Sequence, residues 1–264
     1  GEEPSLPAMN KYLESSNQGL REEAFRLMAR RRLEDKGCLD DIFQKMLDLR
    51  HQMALNAGFN NYRDYIHRAK ERFDYTPEDC HRFGENVKNY VLPILKDWNR
   101  ERGKKLGLKE LRPWDTVVDP NGSNVFEPFN DTDGHVAIAS KLMSAVSSQF
   151  GQDLNWMYTQ GLLDLETRPH KGPGGFMDNL ERQRVPIIFA NSGTTHSDIE
   201  TLVHEGGHAI NGLLSRHLEP MAYRNPPLEF AEVASMGLEA MAMEHLHEVY
   251  PEQDASRIHR DSLE

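Results

Sequence analysis

Cysteine is almost absent: Cys38 and Cys80 are the only two in 264 residues. They lack CxxC spacing and sit in helix-like surroundings, which excludes a disulfide framework and suits a reducing compartment. A chain of this length buries a core without such cross-links. Net positive charge is missing as well. The formal charge is −11 at pH 7, which argues against a phosphate-binding face, and short basic runs such as Arg30-Arg31-Arg32 read as solvated helix surface. No apolar stretch approaches the roughly 18 residues of a membrane span. The opening segment GEEPSLPAMN has neither a basic start nor an apolar run, so no secretory leader is expected there. Internal repeats and low-complexity tracts are lacking too. The expected setting is cytoplasmic, with no nucleic-acid and no membrane partner.

What is present divides in two. From about 13 to 106 the chain is rich in Leu, Met, Arg, Glu and Ala, with apolar residues at three- and four-residue spacing, the pattern of amphipathic helices. Phe25, Leu27, Met28 and Leu33, then Ile42, Phe43, Met46, Leu47 and Leu49, form such stripes. Thr76-Pro77-Glu78-Asp79 predicts a helix start, and Pro93 predicts a kink in the helix that follows. Residues 111–134 read as an irregular crossover, and a helix from about Val136 to Phe150 should end on Gly151. Beyond it, segments 163–167, 175–178 and 185–190 alternate or run apolar between Gly, Pro and charged turns, which predicts a small antiparallel sheet. Helices should return at Ser197, whose SxxE spacing to Glu200 is a capping box, and at Asn225-Pro226.

The segment THSDIETLVHEGGHAI, 195–210, contains HExxH as His204-Glu205-Gly206-Gly207-His208. On a helix, positions four apart lie about 40° apart around the axis and about 6 Å along it, so two imidazoles can converge on one ion. Glu205 projects beside them, placed to take a proton from a metal-activated water. Each of the two glycines between the histidines costs a helix roughly 1 kcal/mol relative to alanine. Close approach of another backbone, or of substrate, would explain the pair. A third ligand is required, and the next helix offers Glu229, Glu232 and Glu239. Glu232 follows His208 by 24 residues, room for a loop and a returning helix; Glu239, two turns further along the same face, suits an orienting role toward a ligand histidine.

With these residues in hand, the sequence resembles the oligoendopeptidase F and thimet oligopeptidase family of gluzincin zinc metallopeptidases. The match rests on FAN and THSDIETLVHEGGHAI, on LEFAEVASMGLEA at 228–240, on Arg-Pro-Trp-Asp at 112–115 and on RPHKGPGGF at 168–176. The resemblance implies one zinc ion per chain at His204, His208 and Glu232, general acid–base chemistry at Glu205, and an orienting acid at Glu239. It implies a mainly α, zincin-like helical domain with a small antiparallel sheet beside the HExxH helix, and a deep channel for short unstructured peptides. Strand 185–190, with Phe189 and Ala190, would be the edge to which a peptide adds; the loop 172–176, with Gly174, Gly175 and Phe176, would border the channel. The chain is expected to be one catalytic domain, helical over 1–150 with sheet and zinc-site helices over 151–264, forming the middle portion of a longer protein. Family members supply substrate-binding His and Tyr residues from a segment well downstream of the third ligand, and no such segment can be placed here. The expected function is a zinc endopeptidase; the alternative is an incomplete fragment or noncatalytic peptide-binding scaffold, completed by the remainder of the same protein.

Overall fold

Amphipathic spacing in the first hundred residues becomes helix almost throughout. The structure, a computed structural model, describes residues 5–121, 126–172 and 174–262. Its backbone gathers into two units, 16–123 and a second made of 1–15 with 124–264.

The unit 16–123 holds α2 (Gln18–Glu34), α3 (Lys36–Asn56), α4 (Tyr62–Ala69), α5 (Pro77–Asn86) and α6 (Leu92–Lys105), numbered after α1 (Leu6–Leu13) of the other unit. Local chemistry sets its helix starts. Asn17 and Asn61 cap α2 and α4; Thr76 starts α5 as the sequence predicts, in a reciprocal capping box with Asp79. The disruption expected at Pro93 takes the form of a π-helical turn, Val87–Val91, directly before α6; widening the turn accommodates a residue that has no N–H to donate. The apolar stripes are helical, but Leu27, Leu33, Ile42, Phe43, Leu47 and Leu49 are exposed. The buried residues are fewer and partly polar, among them Arg21, Ala24, Met28, Ala54, Arg102 and Asp115.

The other unit carries α1, α7 (Thr132–Val146), α8 (Ser148–Thr159), β1 (Leu163–Glu166), β2 (Phe176–Leu180), β3 (Val185–Ser192), α9 (His196–Ser215), α10 (Leu228–Met243) and α11 (Glu252–Asp261). Its core forms where α9 packs on the sheet and α7, α8 and α10 pack around α9, with Leu142, Met143, Leu154, Ile188, Leu202 and Leu238 enclosed. The sheet departs from the antiparallel expectation. Its order is β1-β3-β2, with β1 parallel and β2 antiparallel to β3. The hairpin turn between β2 and β3 is tight, whereas the connection after β1 leaves a slot that β3 later fills; that choice belongs to the loop, not to the alternation of any strand. Helix boundaries differ at three points. The box at the start of α9 is Thr195 with Asp198, two residues ahead of Ser197, and α10 begins after Pro227, not Asn225.

Gly151 is the third. It lies inside α8, four residues beyond a break at Ser147, and does not end α7. A Cβ there would stand 1.8 Å from Ser144 Oγ and 2.5 Å from the Ser140 carbonyl oxygen, so the glycine serves the close crossing of α8 on α7. Gly151→Ala is accordingly expected to destabilise this unit by about 1–3 kcal/mol through overpacking. Urea unfolding beside Gly161→Ala, a position with open space but a left-handed backbone, separates crowding from strain.

Candidate metal centre

His204, Glu205 and His208 lie in the middle of α9, whose apolar flank (Ile199, Leu202, Val203, Ala209, Ile210) is built into the core. The adjacent glycines explain how the neighbouring helix reaches them. A Cβ on Gly207 would stand 2.6 Å from both the Ala234 carbonyl oxygen and Ser235 Cα of α10, a contact between backbones that only glycine permits. Gly206 faces α7 more gently, at 3.0 Å from Met143 Sδ. Close approach at Gly207 sets the rotation of α10: Ser235 turns inward and is fully buried. Glu232 and Glu239, three residues before and four after it, therefore share the flank that faces α9.

Three ligand atoms converge there. Glu232 Oε2 lies 3.2 Å from His204 Nε2 and 3.3 Å from His208 Nε2. Among the described residues these three form the one cluster of metal-ligating type, with all ligand atoms within 4.8 Å of one another. Two imidazole nitrogens and a carboxylate oxygen are a donor set that could hold a divalent cation of the zinc kind. Behind His204, Nδ1 hydrogen-bonds Glu239 Oε1; the carboxylate accepts, so Nδ1 carries the proton and Nε2 keeps its lone pair for the cluster. Of the three acids offered by spacing, Glu232 joins the histidines, Glu239 stands behind one of them, and Glu229 lies outside the cluster.

The two remaining carboxyl environments are opposite. Glu232 is 55% exposed in its side chain, and the Ser235 hydroxyl, then the two imidazoles, hold its carboxyl below the usual value. Glu205 is 7% exposed, and burial pushes its carboxyl above the usual value against the pull of both imidazoles and of the Met177 backbone. A raised carboxyl accepts a proton more readily near neutral pH, which is what a general base requires.

The residues expected to touch a peptide are only partly brought together. Gly174 has a left-handed backbone, φ 91°, held by Asn191 Nδ2, which donates to the Gly172 and Gly174 carbonyls at 2.7 and 2.9 Å. Gly175 lies against Thr201 of α9, where a Cβ would stand 3.3 Å from Thr201 Cγ2. Phe176 stacks on Phe189, centroids 5.1 Å apart. Ala190 is buried in the core. The expectation that strand 185–190 is an edge is corrected: β3 is the central strand, bonded on both sides. The edge beside α9 is β2.

Sequence reasoning passed over three residues. His135 ties the end of β3 to the start of α9, donating from Nε2 to the Asp198 carbonyl at 2.9 Å and accepting at Nδ1 from the Ser192 hydroxyl at 3.0 Å. Burial pushes it toward the neutral form that this pattern needs. Lys171 is buried beneath the sheet, donating to Asp164 Oδ1 at 3.1 Å and the Glu166 carbonyl at 2.8 Å, with its ammonium 4.5 Å from the Phe189 ring. Nothing in a lysine announces burial. Ser235 is the third; its spacing from Glu232 is the only sequence signal for it.

With the geometry in view, comparison with known proteins is direct. The family described as peptidase family M3 matches residues 11–264. The chain is 25% identical over 237 residues to the plasmid-encoded oligoendopeptidase F of Lactococcus lactis subsp. cremoris, covering 90% of this chain and 38% of that protein. It is 21% identical over 258 residues to the group B oligopeptidase PepB of Streptococcus agalactiae serotype III (strain NEM316), covering 93% and 40%. Among solved structures, PZ peptidase A with an inhibitor superposes with a TM-score of 0.90 at 27% identity, over 97% of this chain and 45% of that one. The chain thus spans 38–45% of the length of these relatives.

Proposed function

Because this chain belongs to peptidase family M3, we propose that it carries the zinc centre of an endopeptidase that hydrolyses short, unstructured peptides. The observation that carries the proposal is the convergence of His204 Nε2, His208 Nε2 and Glu232 Oε2 beside a buried Glu205. The donor set fits zinc, which when bound supplies Lewis acidity toward a peptide carbonyl and makes water a better nucleophile near neutral pH. Glu205 takes the proton of the attacking water and passes it to the leaving amine. Its burial and raised proton affinity support both duties. Glu239 orients His204 through Nδ1.

An extended substrate is supported by the same contacts. β2 is an edge strand next to Glu205, and a peptide adding to that edge runs past the general base. Gly174 and Gly175 keep the entry to β2 free of side chains, and Phe176 stacked on Phe189 gives it an aromatic border. The substrate-facing group is thus Gly174, Gly175, Phe176 and Phe189, without the buried Ala190. The names of the relatives, oligoendopeptidase F and PepB, support oligopeptides as the substrate class. Two exposed free thiols, Cys38 and Cys80, support a reducing, cytoplasmic setting. No helix among the described residues is long and apolar enough to cross a membrane.

A second reading draws on the 38% share of the Lactococcus protein that the chain spans. In it the chain binds zinc, but efficient hydrolysis needs further polypeptide that contributes donors to the carbonyl oxygen; losing one such donor costs on the order of a hundredfold in rate. Metal analysis by mass spectrometry on the wild type and Glu232→Ala, with cleavage of a quenched fluorescent peptide on the same samples, tests both. The expected result is about one zinc per chain in the wild type and weakened retention in the variant. Hydrolysis beside that zinc selects the first reading, and zinc without hydrolysis the second. A wild type that takes up no zinc ends both.

A further inference from the structure

The zinc reading uses Glu232 but leaves open what holds it. The side chain is 55% exposed, and a free glutamate on a helix surface samples many rotamers, most of which point its oxygens away from the histidines. Ser235, one turn further along α10, is fully buried. Its Oγ lies 2.8 Å from Glu232 Oε2, the same oxygen that stands 3.2 and 3.3 Å from the two imidazole nitrogens. We propose that Ser235 is a positioning residue that holds Glu232 in its ligating rotamer before the metal arrives, so that zinc affinity depends on a hydroxyl that itself need not touch zinc.

The competing use of this serine is ordinary. Its Oγ is also 3.1 Å from the Glu232 carbonyl oxygen, and serines inside helices commonly return their proton to a carbonyl of the preceding turn. One hydroxyl has one proton to give. The carboxylate is both the nearer acceptor and the charged one, and charge-assisted bonds are shorter and roughly twice as strong as neutral ones. Rigidity comes from the opposite side: Ser235 Cα is part of the backbone that presses on Gly207, so the hydroxyl is fixed to the same helix crossing that fixes the histidines. Glu232 is thereby tied to α9 through a contact point instead of through its own flexible stem. This inference rests on the zinc reading above, and its test must fail separately from it.

Zinc affinity is measured by competition with a chromogenic chelator for the wild type, Ser235→Ala and Glu232→Ala. Thermal unfolding of the metal-free proteins and visible absorption of the cobalt(II)-loaded forms are recorded alongside. Ser235→Ala is expected to bind zinc about 10–100-fold more weakly, the usual effect of losing a group that orients a ligand, with metal-free melting unchanged and the cobalt absorption bands shifted. Affinity in Ser235→Ala within about twofold of wild type, while Glu232→Ala loses zinc, would overturn the inference and leave the serine as a backbone-bonded helix residue. A weakened affinity that merely follows a lowered metal-free melting temperature overturns it too. A Glu232→Ala protein that binds as tightly as wild type would remove the zinc reading itself, and this inference with it.

Discussion

Glu205→Gln is expected to retain about one zinc per chain while peptide hydrolysis falls by roughly 10²–10⁴-fold, the span attributed to a positioned general acid–base. The substitution preserves the metal cluster and the packing around it. Glu205 belongs to neither the ligand cluster nor its hydrogen-bonded support, so the metal has no reason to leave. Glutamine keeps the shape of the side chain, and a neutral amide at a position only 7% exposed avoids the desolvation that a carboxylate bears there. Stability should therefore hold or rise. What disappears is a group able to take a proton. Zinc analysis and steady-state cleavage of one fluorescent peptide, run on the same preparations, decide the matter: a glutamine variant within about tenfold of the wild-type rate would remove Glu205 from the mechanism.

The parts of this site that were legible in sequence are those fixed within one helix. HExxH needs only helical geometry to bring two imidazoles together, and the twin glycines call for close approach of another backbone or of substrate; Gly207 makes the former against Ala234 and Ser235. The third candidate ligand is harder to read. Spacing left Glu229, Glu232 and Glu239 as candidates, because the acid that meets the histidines depends on the rotation of α10, and that rotation is settled by a contact between helices. Resemblance to a family singled out Glu232, and packing explains why. Local signals failed where two candidates competed or where a segment's neighbours decided. Both Thr195-x-x-Asp198 and Ser197-x-x-Glu200 satisfy a capping pattern, and only the former is the cap. Gly151 reads as a helix stop in sequence and serves as a helix crossing in space. Each strand was visible in its own residues, but the slot of β3 between β1 and β2 is written in the loops, so the sheet was expected antiparallel and is mixed. Lys171 and His135 escaped because burial of a polar side chain is decided by the partners it finds, here carbonyls and a hydroxyl from distant segments.

The same principle predicts the largest stability effect, in the unit formed by residues 16–123. Asp115→Ala is expected to cost that unit about 3–5 kcal/mol, the usual penalty for removing one partner of a buried ion pair. Asp115 has no solvent exposure and Arg21 only 2%, and Arg21 Nη2 lies 2.6 Å from Asp115 Oδ1. The network is filled on both sides. Asp115 Oδ2 accepts the Arg112 backbone N–H at 3.1 Å and Gln18 Nε2 at 3.3 Å, while Arg21 also donates to the Trp114 and Ser16 carbonyls at 3.1 Å each. Removing the carboxylate leaves a guanidinium in place without its counter-charge, together with a backbone N–H that has lost its acceptor, in a unit whose large apolar side chains are mostly exposed. Little hydrophobic burial is available there to absorb the loss. Arg21→Met should cost less than Asp115→Ala, because a neutral side chain of similar length fills the space and the remaining carboxylate keeps two donors. The double variant should cost less than the two singles added together, since neither charge is then left alone. Denaturant unfolding followed by tryptophan fluorescence, with Trp114 beside the pair, measures all three. An Asp115→Ala cost below about 1 kcal/mol, the level of an exposed pair, would show that the buried pair is not what holds this unit together.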